Sequence, residues 1–480
     1  MQFNSYSYLL LLIPVTAVFW ALPAPWRRWY VLAMSILYYA TWNAAFVAVP
    51  LALALGVHVV ARLLIAQPDR GRRWFWSGVA MVLAIFGFFR YRLFLLANIN
   101  HLLAAFGARP VSVAWQIAVP LGISFYSFEA ISYLIDAKQG RIKKSRFSDL
   151  YLFIMFWPHL MAGPIVRFRE LGPQLDFAKP FELRMLLRGL DRLVLGLVQK
   201  NLFANPLGSW VDQGFFPNAV RNNSTVDSWA LAVAFGLQIY FDFAAYSNMA
   251  IGVAQLIGIT LPENFRFPYH AQNPADFWSR WHMTLSRWIR DYLFFPVSAR
   301  FRGSPAALYA SLLVVMALVG LWHGAGWGFV AWGVLHGAYL VLYRVWESLG
   351  ETRLAGFTKS RPAAWSWRIF TLTAVTAAWV PFRAATGADA AHMLAGMFGR
   401  FRFGFSYPAD FYLVVLLMAL FCLVEPFLAA AWTRAENSIT ALRGGLLAHS
   451  YLLRPAIYAC GLLLFLIFDD RSTQFIYFQF

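Results

Sequence analysis

The stretch AALYASLLVVMALVGLWHGAGW, residues 306–327, decides the fold class. Residues 306–322 carry no charge, and about 20 apolar residues are what a helix needs to cross a bilayer. The run then stops on His323, flanked by Gly324 and Gly326. An ionisable ring at the end of a lipid-compatible helix is costly unless it faces a cavity or a partner, so His323 is the first candidate for chemistry. Similar apolar stretches recur at Leu9–Leu22, Val31–Leu64, Phe75–Phe89, Ile117–Ile135, Trp229–Ile259, Gly328–Tyr343, Ile369–Phe382, Phe411–Ala431 and Leu452–Phe468. Val31–Leu64 is long enough for a hairpin of two spans. Less regular apolar pieces lie at Leu150–Pro164 and Met185–Phe203. The pattern predicts an all-α integral membrane protein with about 11 transmembrane helices. These runs are too long and too uniformly apolar for the alternating strands of a barrel.

Composition agrees. Of 480 residues, 60% are hydrophobic and 13% are charged, and the mean hydropathy is +0.56. A soluble domain is nearer about 25% charged. The net charge of +18 is not read as a nucleic-acid signal, because the basic residues sit in short connections between spans. Arg70, Arg72 and Arg73 share one such loop. Lys138, Arg141, Lys143, Lys144 and Arg146 share another, and the 343–368 segment carries Arg344, Arg353, Lys359, Arg361 and Arg368. The alternate connections, Asn98–Ala114 and Asn205–Val226, hold one arginine each. The positive-inside rule places the basic loops in the cytoplasm and the N-terminus outside. The first apolar run lacks a basic leader and a small-residue cleavage site, and is read as a retained span. Cys422 and Cys460 both fall in apolar runs and read as small hydrophobes, with no disulfide or metal pair implied. No linker, low-complexity stretch or internal repeat divides the chain, so residues 1–480 are expected to form one membrane domain.

The segment Leu261–Arg302 interrupts the hydropathy pattern. Asn273-Pro274-Ala275-Asp276 has the chemistry of a helix start: a capping amide, proline in the first turn, and an early acid. Phe277, Trp281, Leu285, Trp288 and Tyr292 follow at helical spacing, which predicts one amphipathic helix. Asp276 precedes Arg280 by four residues, the favourable order for an ion pair. His282 falls near the aromatic face. This helix is too polar to span and is expected at the cytoplasmic interface or as a re-entrant piece.

The run Phe277-Trp278-Ser279-Arg280-Trp281-His282-Met283-Thr284-Leu285-Ser286, with Trp288-Ile289-Arg290-Asp291-Tyr292-Leu293, resembles the signature of the membrane-bound O-acyltransferases, in particular their bacterial alginate O-acetyltransferase-like branch. Further pieces agree in order along the chain: residues 120–126 (PLGISFY), 161–167 (MAGPIVR), 238–243 (QIYFDF), 261–265 (LPENF), 321–327 (LWHGAGW) and 475–480 (FIYFQF). Asn248 departs from the acid expected there, and Phe88-Phe89-Arg90-Tyr91 departs from a lysine-containing version.

The resemblance implies a bundle with re-entrant helices around a transmembrane tunnel, set in a bacterial inner membrane. Acetyl-CoA is the implied acyl donor from the cytoplasm, with no metal. The family's single histidine of its Trp-His-Gly motif maps onto His323. Its His, Asn or Asp of the earlier motif maps onto His282. Acyl transfer to a hydroxyl needs a base and oxyanion donors. A neutral imidazole suits the first need, so His323 is expected as base or acyl carrier. His282 is expected to polarise the thioester, hold an acyl group, or orient a water. His336, on the 306–345 hairpin, with Trp322, Trp281 and Asp291, is expected to support the site or line the tunnel. Arg280, Arg287 and Arg290 are candidates for the CoA phosphates. The alternatives are ordinary: a helix-cap or interhelical hydrogen bond for His323, interfacial packing for His282, and headgroup contacts for the arginines. His159 reads as a structural polar residue near a broken helix.

The implied activity is O-acetylation of an extracytoplasmic polysaccharide such as alginate. D-Alanyl or peptidoglycan acyl transfer are the neighbouring options, and a proton-coupled transporter is the option from another class. The chain has no sizeable outer domain. An extracytoplasmic or membrane-anchored acetyltransferase is therefore expected to receive the acetyl group, and Trp210, Phe215 and Phe216 are candidate docking residues.

Overall fold

The computed structural model describes residues 3–112, 117–301, 303–350, 360–399, 401–441, 447–468 and 475–476, with backbone alone at 432, 435–441, 447–453 and 468. Helix dominates, and no strand occurs among the described residues. Six helical stretches there are long and apolar enough to cross a membrane: 44–66, 68–105, Thr225–Leu256, Pro305–His323, Trp327–Leu349 and 409–431. Tyr6–Ala21 and Arg454–Ile467 are shorter apolar helices. The chain packs as two compact units, residues 1–193 with 249–262 and residues 194–248 with 263–480.

The first unit contains α1 (Tyr6–Ala21), α2 (Ala24–Ala40), α3 (Ala48–Ala66), α4 (Gly71–Ala105), α5 (Ile123–Lys138), α6 (Phe147–Met155), α7 (Phe168–Leu171) and most of α8 (Leu183–Val198). Here α3 packs against α4, α5 and α6. The expected hairpin in Val31–Leu64 is α2 and α3. After α6 the backbone leaves the helix from 156 to 167, yet these residues are buried. Irregular backbone at membrane depth survives only where protein satisfies it. Ser35 Oγ accepts from Trp157 N at 3.3 Å, and Trp157 Nε1 donates to Tyr8 Oη at 3.2 Å. His159, in this segment, has Nδ1 3.1 Å from the Glu129 carboxylate, and both are buried. Gly122 starts α5 at φ 71°, where a Cβ would lie 2.1 Å from the Leu160 carbonyl. Only glycine fits both the left-handed conformation and that approach.

The second unit holds α9 (Asn205–Gly214), α10 (Pro217–Asn222), most of the long buried α11 (Thr225–Leu256), then α12 (Pro274–Trp278), α13 (Met283–Ile289) and α14 (Phe295–Ser298). It continues with α15 (Pro305–His323), α16 (Trp327–Leu349), α17 (Arg361–Arg383), α18 (Gly387–Phe398), α19 (Ala409–Ala441) and α20 (Leu447–Phe468). The connection expected at Asn205–Val226 is helical, because Pro206 and Pro217 each sit in the first turn of a helix. Phe215, a candidate docking residue, is buried against Phe235 and under the Arg383 guanidinium. Trp210 packs on Tyr407 and Phe411. Phe216 alone of the three is 65% exposed.

The α15–α16 hairpin closes on glycine. A Cβ at Gly320 would meet the Phe329 carbonyl at 2.1 Å, and one at Gly333 would meet the Met316 carbonyl at 2.1 Å. Small residues let the two backbones touch where no hydrophobic drive separates helix from lipid. In α11, Asp242 bridges two distant segments. Its Oδ1 lies 2.6 Å from Lys200 Nζ, and its Oδ2 accepts from Ile476 N at 2.7 Å. Lys200 also lies over the Phe475 ring at 4.5 Å. Phe475 and Ile476 are thus tied to the middle of α11. Cys422 is buried and Cys460 is exposed; both are free thiols.

Candidate active site

The site grows from a break that the sequence pattern hides. One amphipathic helix was expected from Asn273 through Tyr292. The start is as expected: Asn273 Oδ1 accepts from Asp276 N at 2.8 Å, and Arg280 Nε pairs with Asp276 Oδ1 at 2.8 Å. The helix then stops at Trp278 and restarts at Met283. His282 stands between, in the left-handed conformation at φ 39° and ψ 54°. A non-glycine residue there costs about 1–2 kcal/mol, so something outside the helix must hold it.

Asn264 does. Its Oδ1 takes a hydrogen bond from His282 Nδ1 at 2.9 Å and from Thr284 Oγ1 at 2.8 Å, while its Nδ2 donates to Ser247 Oγ at 3.0 Å. Its backbone carbonyl accepts from Met283 N at 2.8 Å, which starts α13. The amide orientation follows from these partners. An amide oxygen only accepts, so His282 Nδ1 carries the proton and Nε2 of the neutral ring holds a lone pair. That Nε2 is buried and has no hydrogen-bond partner. The ring is fully buried, edge-on to Phe243 at 4.7 Å and 6.4 Å from Trp322.

His323 is the last residue of α15 and is 7% exposed. Trp322 links it to His282: the indole ring is 4.9 Å from the His323 ring and 6.4 Å from the His282 ring. Its own ring lies 5.1 Å from Trp332 and 5.6 Å from Phe382. Gly324 lets the chain turn here, because a Cβ would strike the Phe329 ring. His336, one turn after Trp332 on α16, packs on the other side of the same aromatic group, 4.8 Å from Trp332 and 5.3 Å from Trp278. Trp281 extends the wall, 5.1 Å from Trp379 and 5.7 Å from Phe277. The structure therefore brings together His282, His323, His336, Trp281 and Trp322. Buried Nε1–H groups of Trp278 and Trp332, and Nε2 of His336, have no hydrogen-bond partner. Unpaired buried donors and acceptors cost about 1–3 kcal/mol each, so this aromatic group carries an unmet polar demand.

The remaining candidates stand differently. Asp291 pairs with Arg290 Nε at 2.8 Å in a π-turn (Arg290–Phe294). Arg287 is exposed and donates to the carbonyls of Met283 and Glu263. Arg280 is held by Asp276. Asn264, Ser247, Thr284, Trp278 and Trp332 were not singled out as site residues from the sequence. Asn264 was visible only as part of the 261–265 motif, and no spacing rule links it to His282, 18 positions away. Among the described residues no group of His, Cys, Asp and Glu could hold a metal ion.

The model of the membrane-bound O-acyltransferase family matches residues 73–381, a span that takes in both histidine motifs. The chain belongs to that family. This O-acyltransferase is 36% identical over 406 residues to a probable alginate O-acetylase of Azotobacter vinelandii, a match covering 83% of this chain and 78% of the relative. It is 33% identical over 402 residues to a peptidoglycan O-acetyltransferase of Helicobacter pylori, covering 78% and 74%. Similarity to a teichoic acid D-alanyltransferase of Bacillus subtilis is 29% over 238 residues, covering 47% and 59%. The chain is thus a multi-pass membrane O-acyltransferase, and the transporter reading falls away.

Proposed function

We propose that this O-acyltransferase draws acetyl from cytoplasmic acetyl-CoA and passes it across the inner membrane toward O-acetylation of an extracytoplasmic polysaccharide. The observation that carries this is the histidine cage: two buried imidazoles that share Trp322, one with its tautomer set by Asn264, beside unpaired indole N–H donors. The acetate branch is favoured because similarity to the alginate O-acetylase runs over 83% of the chain, against 47% for the D-alanyltransferase.

In this reading a hydroxyl oxygen attacks the thioester carbonyl. His323 takes the hydroxyl proton, and the oxyanion accepts hydrogen bonds from Trp N–H groups such as Trp332 Nε1. The C–S bond breaks, and the imidazolium returns the proton to the leaving thiolate, so the site ends as it began. His282 Nε2 is an acceptor, which argues against its polarising the carbonyl. It favours accepting a hydrogen bond from a bound water, which leaves the hydroxyl proton to His323. The unpaired donors and acceptors in the cage fit an acyl thioester with no metal. The arginines of the 261–302 segment remain candidates for the CoA phosphates.

The topology that goes with this has the loops of Arg72 and Lys143 in the cytoplasm and Asn222 outside. Single-cysteine labelling in a Cys422- and Cys460-free background reports the sides; Lys143 and Asn222 on one side would overturn the arrangement. The acetyl group then goes to a separate extracytoplasmic or membrane-anchored acetyltransferase. Purified protein is expected to cleave acetyl-CoA slowly or become loaded, and to acetylate polymer only with that partner. His323→Ala should insert normally and lose transfer entirely. Wild-type acetylation by a well-expressed His323→Ala protein would sink the role, and efficient polymer acetylation by the chain alone would sink the relay.

A further inference from the structure

The His323 ring has a neighbour whose own support the catalytic reading leaves open. Phe382 lies 5.6 Å from His323, 5.3 Å from Trp332 and 4.8 Å from Phe329. It sits in the last turn of α17, directly after Pro381. Proline inside a helix has no N–H for the carbonyl four residues back, and its ring crowds that carbonyl. Helix ends also fray. The turn that carries Phe382 is therefore weak in its own hydrogen bonds and depends on what packs against it.

Both α16 and α9 hold it. On the α16 side, a Cβ on Gly328 would come within 2.3 Å of the Pro381 carbonyl, so the two backbones touch. On the α9 side, Arg383 Nη2 lies 2.5 Å from Asp212 Oδ1, which joins the end of α17 to α9. The Arg383 guanidinium also stands 5.7 Å from the centre of the Phe215 ring, and Phe215 directly follows α9. Phe215 is 5.9 Å from Phe235, and Phe235 is 6.3 Å from Phe382. An ion pair and a run of rings thus lead from α9 to the same turn. Arginine in a last turn already complements the helix dipole. The carboxylate adds what the dipole does not, a tie to one place on a second helix.

We propose that Asp212 is a positioning residue for acyl transfer: through Arg383 it fixes the last turn of α17, and so holds Phe382 where it keeps the His323 ring aimed at the reacting hydroxyl. This rests on His323 acting as the base. The Asp212 side chain is 54% exposed and that of Arg383 is 23% exposed. A pair this open to solvent adds little to global stability. Its leverage on rate is greater, because a reacting group displaced by about 1 Å can lose about 100-fold. Activity should therefore respond to Asp212 while the fold does not.

The test is steady-state acetyl-CoA cleavage by the purified full chain in detergent, with the unfolding midpoint measured alongside. Asp212→Asn should lower kcat by about three- to fivefold and leave the KM for acetyl-CoA within about twofold. Asp212→Lys sets two cations together and should lower kcat by about tenfold or more, while Asp212→Lys with Arg383→Glu should return it to within about threefold of the unsubstituted protein. In Phe382→Leu the wall ring is gone, so adding Asp212→Asn should change kcat by less than about 1.5-fold, because both changes act through one contact. Unchanged kcat in Asp212→Lys, a loss carried by KM, a reversed pair that recovers nothing, or losses that multiply in Phe382→Leu would each overturn the tie. A midpoint that falls in step with kcat across the series would assign Asp212 to folding instead. If the unsubstituted chain cleaves no acetyl-CoA, the donor reading fails on its own, and the same variants compared by polymer acetylation in cells, at equal expression, still decide the tie.

Discussion

Replacing Asn264 with leucine removes the side chain that holds His282 without touching either histidine. The change strands His282 Nδ1–H and the Thr284 hydroxyl, which now share Oδ1 at 2.9 and 2.8 Å, and leaves Ser247 without its donor. Each buried group left unmet costs about 1–3 kcal/mol. The ring also loses the contact that keeps its proton on Nδ1, so Nε2 is no longer reliably the acceptor. Taking about 1.4–3 kcal/mol as the loss from the transition state, kcat/KM should fall roughly 10- to 150-fold. Asn264→Asp keeps an acceptor at the same place and should stay within about fivefold, on the same reasoning. Both are read by thiol release from acetyl-CoA on purified protein in detergent, with the unfolding midpoint measured alongside. Wild-type kcat/KM in a well-inserted Asn264→Leu protein would refute the tether. Equal loss in Asn264→Asp, with a lowered midpoint, would show that Asn264 serves folding and not the tautomer.

His336→Phe keeps the ring packing on Trp332 and Trp278 and should cost less than about tenfold in rate, whereas loss of a true general base costs about 100-fold or more; comparison with His323→Phe in the same assay separates them. Lys200→Met leaves Asp242 buried without its cation and should destabilise by about 3–5 kcal/mol, while Lys200→Met with Asp242→Asn should recover much of that in thermal unfolding, because asparagine still accepts from Ile476 N. Gly122→Ala forces a Cβ to within 2.1 Å of the Leu160 carbonyl at a positive φ and should abolish the monodisperse detergent-solubilised protein. At Asp276, burial works to raise the carboxyl, but bonds from Arg280 and the Gln272 amide outweigh it and hold it below the usual range. Asp276→Asn should therefore cost a fraction of about 1 kcal/mol at neutral pH after solvent screening, and that difference should vanish as pH falls through the depressed value.

What the sequence revealed was what local rules control. Apolar run length located α1, α3, α5, α11, α15, α16 and α19, but α4 runs on to Ala105, through part of the connection expected at Asn98–Ala114. Cap chemistry located the start of α12 and the Asp276–Arg280 pair. The glycines after His323 read as a helix end, and α15 does end on His323. The site's decisive contacts were hidden because they are not local. Nothing in a 3.6-residue period announces that Asn264 will reach over and hold His282 in a left-handed turn, and the continuous aromatic stripe argued against a break. The inward turn of Phe215 was hidden in the same way, since it depends on Phe235 and on Arg383, far along the chain. Trp332 looked like one of many membrane tryptophans until its position between His323 and His336 was seen.

The left-handed turn at residue 282 also bears on substitution. The resemblance to the O-acyltransferases implies His, Asn or Asp at this place, a set that looks odd if basicity alone is required, since only one of the three is a base near neutral pH. It is less odd for the backbone: these three are the non-glycine residues most enriched at positive φ, and 282 sits at φ 39°. Two selection pressures therefore overlap at one codon, one for a conformation and one for a ring nitrogen. An alanine scan confounds them, because His282→Ala loses the imidazole and strains the turn together. His282→Asn does not: it tolerates the turn and can offer its amide N–H to Asn264, yet brings no basic nitrogen. The amount of transfer surviving in His282→Asn is thus a direct reading of how far this position serves as hinge and how far as reagent.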